Sequence, residues 1–297
     1  MSSKIKLVFY GNERLATATD TTAPTLRALV EAGYDVQAVI TSHKEMTGRN
    51  KRPLEIAAIA HTYHIPVKIP ASRAELIETA KHYPAEAAVL VAYGRIIPQE
   101  VLDLYPKGIV NIHPSLLPKL RGATPIETAI LNGYAQTGVS LMKLVAEMDA
   151  GPVYAQKEIK PTGEETKQEL AARLAEEGSK LLIENLKDIV AGELEPKVQD
   201  ETEATYTRLL KKDDGLIDFS EPADVIERKV RAYIGFPRTR TTIFGKDIVI
   251  TKSRVAHSPS DGHLVVECSP GYLEILELIG PSGRTMSGGD FIRGYKK

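Results

Sequence analysis

The stretch Gly108-Ile109-Val110-Asn111-Ile112-His113-Pro114-Ser115-Leu116-Leu117-Pro118 decides how this chain is read. Its opening is β-branched and predicts a strand over 108–113. Residues two apart on a strand share a face, so Asn111 and His113 project together from its C-terminal end. In open α/β sheets the carboxyl ends of strands are where ligands bind. A second strand-like run, 137–144, leads into Met148-Asp149-Ala150-Gly151, whose glycine permits a tight turn. An amide, an imidazole and a carboxylate then stand where one reacting carbonyl could meet all three. Singly, each has an ordinary use: a hydrogen-bonded polar residue at a strand end, a turn former beside prolines, a cap. Together they point to acyl transfer.

Outward from this stretch, apolar runs at 6–10, 35–40, 67–69 and 87–92 also read as strands. Amphipathic patterns at 23–32, 53–63 and 72–82 read as helices between them, with Gly33 where a helix end wants a left-handed residue. Such alternation predicts an α/β fold with a mostly parallel sheet and helices on both faces. A long helix is expected over 167–190, closed by Ala191-Gly192. Residues 193–206 are charged and poor in large apolar side chains, and read as a linker between a first domain, 1–192, and a second, 207–297. There the pattern changes: a helix over 222–233 precedes short β runs at 241–244, 247–253, 264–267 and 273–278. Short strands without intervening helices predict a small β-barrel.

Composition bounds the rest. The 297 residues carry a net charge of -1, 42% hydrophobic and 26% charged residues, values of an ordinary globular enzyme. One cysteine, Cys268, excludes an intramolecular disulfide framework and points to a reducing, cytoplasmic setting. No apolar run reaches the ~18 residues of a membrane span. Gly11, after the first strand, stands alone; without the three-glycine fingerprint or a P-loop, a nicotinamide or nucleoside triphosphate cofactor is not expected. His61 and His64 lack a carboxylate or thiol cluster, so no metal is expected either.

The motifs Asn111-x-His113-x-Ser115-Leu116-Leu117-Pro118, Arg121-Gly122-Ala123-Thr124-Pro125-Ile126, Thr137-Gly138-Val139 and Asp149-Ala150-Gly151 resemble the folate-dependent formyltransferase family. Val89 to Pro98 resembles that family's strand and loop beside the pterin. Ala204-Thr205-Tyr206, Asp214 to Phe219, Val230 to Tyr233, Phe236-Pro237 and Met286 to Phe291 resemble the rest of it. The resemblance implies a Rossmann-like catalytic domain followed by a small OB-like barrel, and a monomer. It implies 10-formyltetrahydrofolate as co-substrate and a charged initiator Met-tRNA as partner, without metal, NAD or membrane.

Formyl transfer to an amine passes through a tetrahedral species bearing an oxyanion, which wants preorganised hydrogen-bond donors. Asn111 and His113 are the expected donors, Asp149 orients the imidazole, and a carboxylate can take the amine proton. Ser115 lacks the Gly-x-Ser-x-Gly elbow of a nucleophile. By resemblance the folate slot comprises Leu90, Tyr93, Gly94, Ile96, Ser115, Leu116, Leu117, Pro118 and Glu147. For the acceptor stem, phosphate contacts are expected from Lys44, Arg49, Lys51 and Arg52, and from Arg238 and Arg240 in a basic run over 228–254.

Two departures from the family pattern stand out. The loop at 43–52 is shorter than usual, and the first loop reads Gly11-Asn12-Glu13-Arg14-Leu15-Ala16 before a polar stretch, 17–22. Rival readings are a sugar-nucleotide N-formyltransferase, which shares the core but needs no basic surplus, and a folate- or RNA-binding protein without turnover, against which the intact triad argues. A single-domain glycinamide-ribotide enzyme leaves the last third unexplained; a formyl-folate hydrolase leaves the basic run without purpose.

Overall fold

The computed structural model describes residues 4–12, 23–42 and 55–296. The chain divides into two compact units, one of Met1–Pro125, Gln136–Lys160 and Ala171–Thr207, the other of Ile126–Ala135, Pro161–Leu170 and Arg208–Lys297.

The first unit is built on a seven-stranded sheet. Its strands are β1 (Lys6–Gly11), β2 (Asp35–Ile40), β3 (Val67–Lys68), β4 (Ala87–Val91), β5 (Ile109–His113), β7 (Thr137–Lys143) and β8 (Val153–Ile159), in the order β3-β2-β1-β4-β5-β7-β8. The pairs β1–β2, β2–β3, β1–β4 and β4–β5 are parallel; β5–β7 and β7–β8 are antiparallel. The fold is Rossmann-like and mostly parallel. Helices α1 (Pro24–Glu31), α2 (Glu55–Thr62), α3 (Arg73–His82) and α4 (Gln99–Leu102) fall between the parallel strands. Gly33 takes φ 88° just beyond α1, the left-handed closure its position predicted.

Every residue of β5 is buried, as a continuous β-branched run in a central strand requires. Ile109 belongs to the cluster with Leu76 and Ala80 of α3 and Val101 of α4. Ile112, pointing the other way, meets α6 (Lys167–Ala191): a Cβ on Gly178 would lie 2.7 Å from Ile112 Cγ2. Helices therefore cover both faces, and Asn111 and His113 share the Ile109 face.

The strand order reverses between β1 and β4, the place where open α/β sheets take their ligands. Gly11 is dictated there by crowding: a Cβ would stand 2.2 Å from the Val91 carbonyl oxygen. Asn12 then bridges the neighbouring loops, donating to Ser42 Oγ and to the Ala92 and Tyr93 carbonyls at 3.1–3.2 Å.

In the second unit, β10 (Thr239–Ile243), β11 (Lys246–Ala256), β13 (Tyr272–Ile279) and β12 (Val265–Glu267) form an antiparallel curled sheet, with β14 (Thr285–Ser287) paired to β13. This half-barrel matches the small barrel expected from short strands. Ile226 and Val230 of α7 (Ala223–Ala232) and Phe291 of α8 (Gly288–Tyr295) pack on Ile248, Ile250, Leu273, Ile275 and Leu278. Cys268 lies in the same core, and burial pushes its thiol up from the ordinary value. Residues 126–135, which hold most of α5 (Pro125–Leu131), and 161–170 join this unit through the buried Lys167 and the half-buried Arg231. Lys167 Nζ stands 3.6 Å from Glu127 Oε1 and donates to the Phe236 carbonyl at 3.2 Å; Arg231 donates to the Glu165 carbonyl at 2.9 Å. Among the described residues no helix is long and apolar enough to cross a membrane.

Candidate active site

His113 ends β5 and is 5% exposed. Its Nε2 lies 3.1 Å from the Leu120 carbonyl, which can only accept, so Nε2 carries a proton. Its Nδ1 faces Asp149 Oδ2 at 3.6 Å, an ion-pair distance beyond hydrogen-bond length. That carboxylate oxygen is held instead by the Gly122 amide N–H at 2.8 Å. Asp149 Oδ1 has no hydrogen bond among the described residues.

Asn111, paired in register with Leu90 of β4 and Met142 of β7, is 6% exposed. Its side chain has no hydrogen-bond partner among the described residues. A buried amide costs free energy unless it bonds to something, so its donors are available to a ligand. The structure thus brings Asn111 and His113 onto one strand end and Asp149 against His113.

Asp149 takes φ 52°, in the left-handed region that non-glycine residues seldom occupy. Gly151, expected to supply the tight turn, is required for another reason: a Cβ there would lie 1.8 Å from the Lys143 carbonyl oxygen. The positive φ falls on the aspartate itself.

The Pro-rich turn after His113 is fixed by side-chain bonds. Ser115 is buried, its Oγ donating to the Lys119 carbonyl at 2.6 Å. Ser140 of β7 donates to the Ser115 carbonyl at 2.6 Å and accepts from the Leu117 amide at 3.1 Å. Gln156 of β8 donates to the Leu117 carbonyl at 2.8 Å. Leu116 packs over Gly138, where a Cβ would meet its Cδ2 at 2.6 Å. Pro118 follows a cis peptide bond and accepts from the Thr205 amide at 3.3 Å.

The loop after β4 turns at Ala92 and Gly94, with φ 49° and 72°. Tyr93 directs its ring into the core against Tyr10, ring centroids 5.7 Å apart, so its contribution to a slot is backbone. Ile96 is 88% exposed, a large apolar side chain left to solvent beside this turn, and Glu147 is exposed too.

Sequence reasoning placed Arg121 in a family motif without a role and passed over Gln199. Arg121 begins the short strand β6 (Arg121–Gly122), parallel to β9 (Tyr206–Thr207). Its guanidinium is buried and bonds to Gln199, Glu201 and Tyr206, and Gln199 in turn holds the Asp149 and Gly151 carbonyls. The clue in the sequence was an arginine inside an otherwise small and apolar motif; its partners lie some 80 residues on.

Lys44, Arg49, Lys51 and Arg52 lie outside the described residues, as do Glu13 to Ala16 of the atypical first loop. Arg238 is exposed, and its side-chain Nε donates to the Gly235 carbonyl at 3.2 Å. Arg240 donates to the Lys212 carbonyl at 2.5 Å. Much of the basic run is paired at home: Arg228 with Asp224, Lys229 with Glu221, Arg231 with Glu227 and Arg254 with Glu274.

A Rossmann-like sheet that gathers an amide and an imidazole at the end of β5 and a carboxylate from the loop after β7 has the groups that group transfer requires. Residues 15–186 match the family model described as formyl transferase, and residues 209–296 that of the formyl transferase C-terminal domain. The chain belongs to the formyl transferase family. It is 38% identical to the methionyl-tRNA formyltransferase of Solibacter usitatus (strain Ellin6076), across 98% of this chain and 96% of that protein. It is 37% identical to the protein of the same name from Chloroflexus aurantiacus, across 98% and 97%. Two solved structures share the fold. HypX from Aquifex aeolicus in complex with tetrahydrofolic acid has a TM-score of 0.69 at 17% identity, covering 99% of this chain and 48% of that one. The N-formyltransferase from Helicobacter canadensis has 0.68 at 19%, covering 91% and 98%.

Proposed function

We propose that this chain transfers the formyl group of 10-formyltetrahydrofolate to the free amine of methionyl-initiator-tRNA, for initiation of protein synthesis. The observation that carries this reading is the end-to-end similarity, at 38% identity, to proteins named for that reaction.

The residues present fit the folate. A pterin is a flat ring with amide-like edges, and the positive-φ turn at 92–94 presents backbone groups beside the exposed Ile96. Leu90, Ser115, Leu116, Leu117, Pro118 and Glu147 complete the proposed slot. When bound, the folate supplies an activated formyl carbonyl. Asn111 Nδ2, and His113 Nδ1 when the imidazole carries both protons, are the donors left to meet the negative charge that develops on the carbonyl oxygen. Asp149 Oδ1 takes the proton the attacking amine must lose, directly or through water. The acceptor's phosphates are assigned to residues 207–297, with Arg238 and Arg240, and to Lys44, Arg49, Lys51 and Arg52.

The test is formyl transfer from 10-formyltetrahydrofolate to charged initiator Met-tRNA, with a UDP-amino sugar in parallel. Product on the tRNA is expected. Product on the sugar alone keeps the catalytic assignments and overturns the acceptor; product on neither overturns the reading.

A further inference from the structure

Resting on the reading above, we propose that Gln199 and Arg121 are positioning residues that hold Asp149 in its reactive geometry. A left-handed aspartate needs outside restraint, because its backbone conformation is disfavoured on its own. Gln199 supplies it: Nε2 donates to the Asp149 carbonyl at 2.7 Å and to the Gly151 carbonyl at 2.6 Å, gripping both sides of the turn.

The direction of that amide is enforced. Gln199 Oε1 accepts from Arg121 Nε at 3.1 Å and from Nη2 at 2.9 Å. Arginine only donates, so Oε1 faces the guanidinium and Nε2 faces the carbonyls. Arg121 itself has no freedom left. Nη2 donates to Glu201 Oε1 at 2.7 Å, and Nη1 to Glu201 Oε2 at 2.9 Å and to the Tyr206 hydroxyl at 3.1 Å. With the two bonds to Gln199, these employ all five guanidinium N–H groups. A lysine has neither the plane nor the fork to reproduce this.

The same short segment serves the imidazole. The Leu120 amide donates to Thr205 Oγ1 and the Arg121 amide to the Thr205 carbonyl, both at 2.8 Å. This fixes the Leu120 carbonyl that faces His113 Nε2 and the Gly122 amide that holds Asp149 Oδ2. Residues 199–207 thus set the relation between His113 and Asp149 from behind, without reaching the reacting atoms.

The decisive variant is Gln199→Glu. Its volume is nearly unchanged and it still accepts from Arg121, but it cannot donate to the two carbonyls. Full-length Gln199→Glu, Gln199→Ala and Arg121→Lys would be assayed beside wild type for kcat, both KM values and Tm. A loss of about 10²-fold in kcat is expected, the cost of roughly 1 Å of misplacement. KM should stay within about two-fold, since substrate-binding groups are untouched. Adding Gln199→Ala to Asp149→Asn should cost nothing further, because the glutamine acts through the aspartate. A Gln199→Glu enzyme with wild-type kcat, or multiplicative losses in the double variant, overturns the proposal. If Arg121→Lys fails to fold, the glutamate variant decides. A crystal structure of Gln199→Glu tests the inference apart from the acceptor: Asp149 should leave the left-handed region, and an unmoved Asp149 overturns it. Wild type inactive on Met-tRNA strikes the functional reading alone.

Discussion

The Gly122 amide N–H, not the His113 imidazole, makes the close contact to the Asp149 carboxylate, 2.8 Å against 3.6 Å. The carboxylate is anchored by one oxygen to the backbone, which leaves its other oxygen for a proton. Asp149→Asn keeps an acceptor for Gly122 but removes the base. We expect kcat to fall by about 10²–10⁴-fold with Tm and folate affinity preserved. Near-wild-type turnover would sink the assigned mechanism.

Gly11 tests the packing at the sheet's reversal point. Gly11→Ala drives a Cβ against the Val91 carbonyl oxygen, a backbone atom that cannot swing aside. The expected cost is about 1–3 kcal/mol in urea unfolding, typical of overpacking. An unchanged midpoint would show that β1 and β4 can part without penalty.

The buried Lys167–Glu127 pair is expected to behave asymmetrically. Lys167→Met leaves Glu127 as an uncompensated buried charge, costing about 3–5 kcal/mol, while Lys167→Met with Glu127→Leu should be neutral or stabilising. Burial holds the Lys167 ammonium below the ordinary lysine value, against the opposing pull of Glu127. The folded state therefore binds this proton less tightly than the unfolded state. The resulting cost is present at neutral pH and is relieved as pH rises from the depressed value toward that of an ordinary lysine. The double variant should lose this alkaline gain; keeping it would assign the slope to another group.

Asp214 carries an acid-side dependence. Bonds from Arg208 at 2.6 and 2.7 Å, outweighing its burial and joined by the Lys211 amide, hold the Asp214 carboxyl at about 2. A depressed carboxylate contributes stability that is present above its unfolded value and is lost as pH falls from about 4 toward 2. Asp214→Asn should remove that acid slope, worth about 1 kcal/mol after screening of the exposed Arg208. A variant melting identically to wild type at pH 5 and pH 2.5 would show the pair is inert.

What could be read in advance follows from what periodicity records. β5 was legible because both its faces are buried and its β-branched residues Ile109, Val110 and Ile112 mark a strand. The half-barrel strands were legible from short β-branched runs between turns, and α6 from its helical periodicity. β8 was not: Gln156 to Glu158 are exposed, and its register is set by pairing to β7 and a bridge from Val153 to Lys197, which leave no apolar pattern. Residues 199–207 were invisible as structure because side-chain hydrogen bonds and one guanidinium hold them, and neither leaves an apolar pattern. Charge counting went astray for a related reason. The basic run was counted from Arg228, just past Glu221, Asp224 and Glu227, which neutralise its first members in space. The triad itself was legible from residue type and order, but the left-handed φ of Asp149 and its separation from His113 were not.

The five-fold ligation of Arg121 sets a limit on how the polypeptide can be shortened. A fragment ending at residue 192 would keep Asn111, His113 and Asp149 intact. It would nonetheless lose the Gln199, Glu201 and Tyr206 partners of the Arg121 guanidinium, and with Gln199 the bonds to the Asp149 and Gly151 carbonyls. The smallest autonomous piece of the first unit therefore ends no earlier than Thr207, where its last parallel pair, with Gly122, is made.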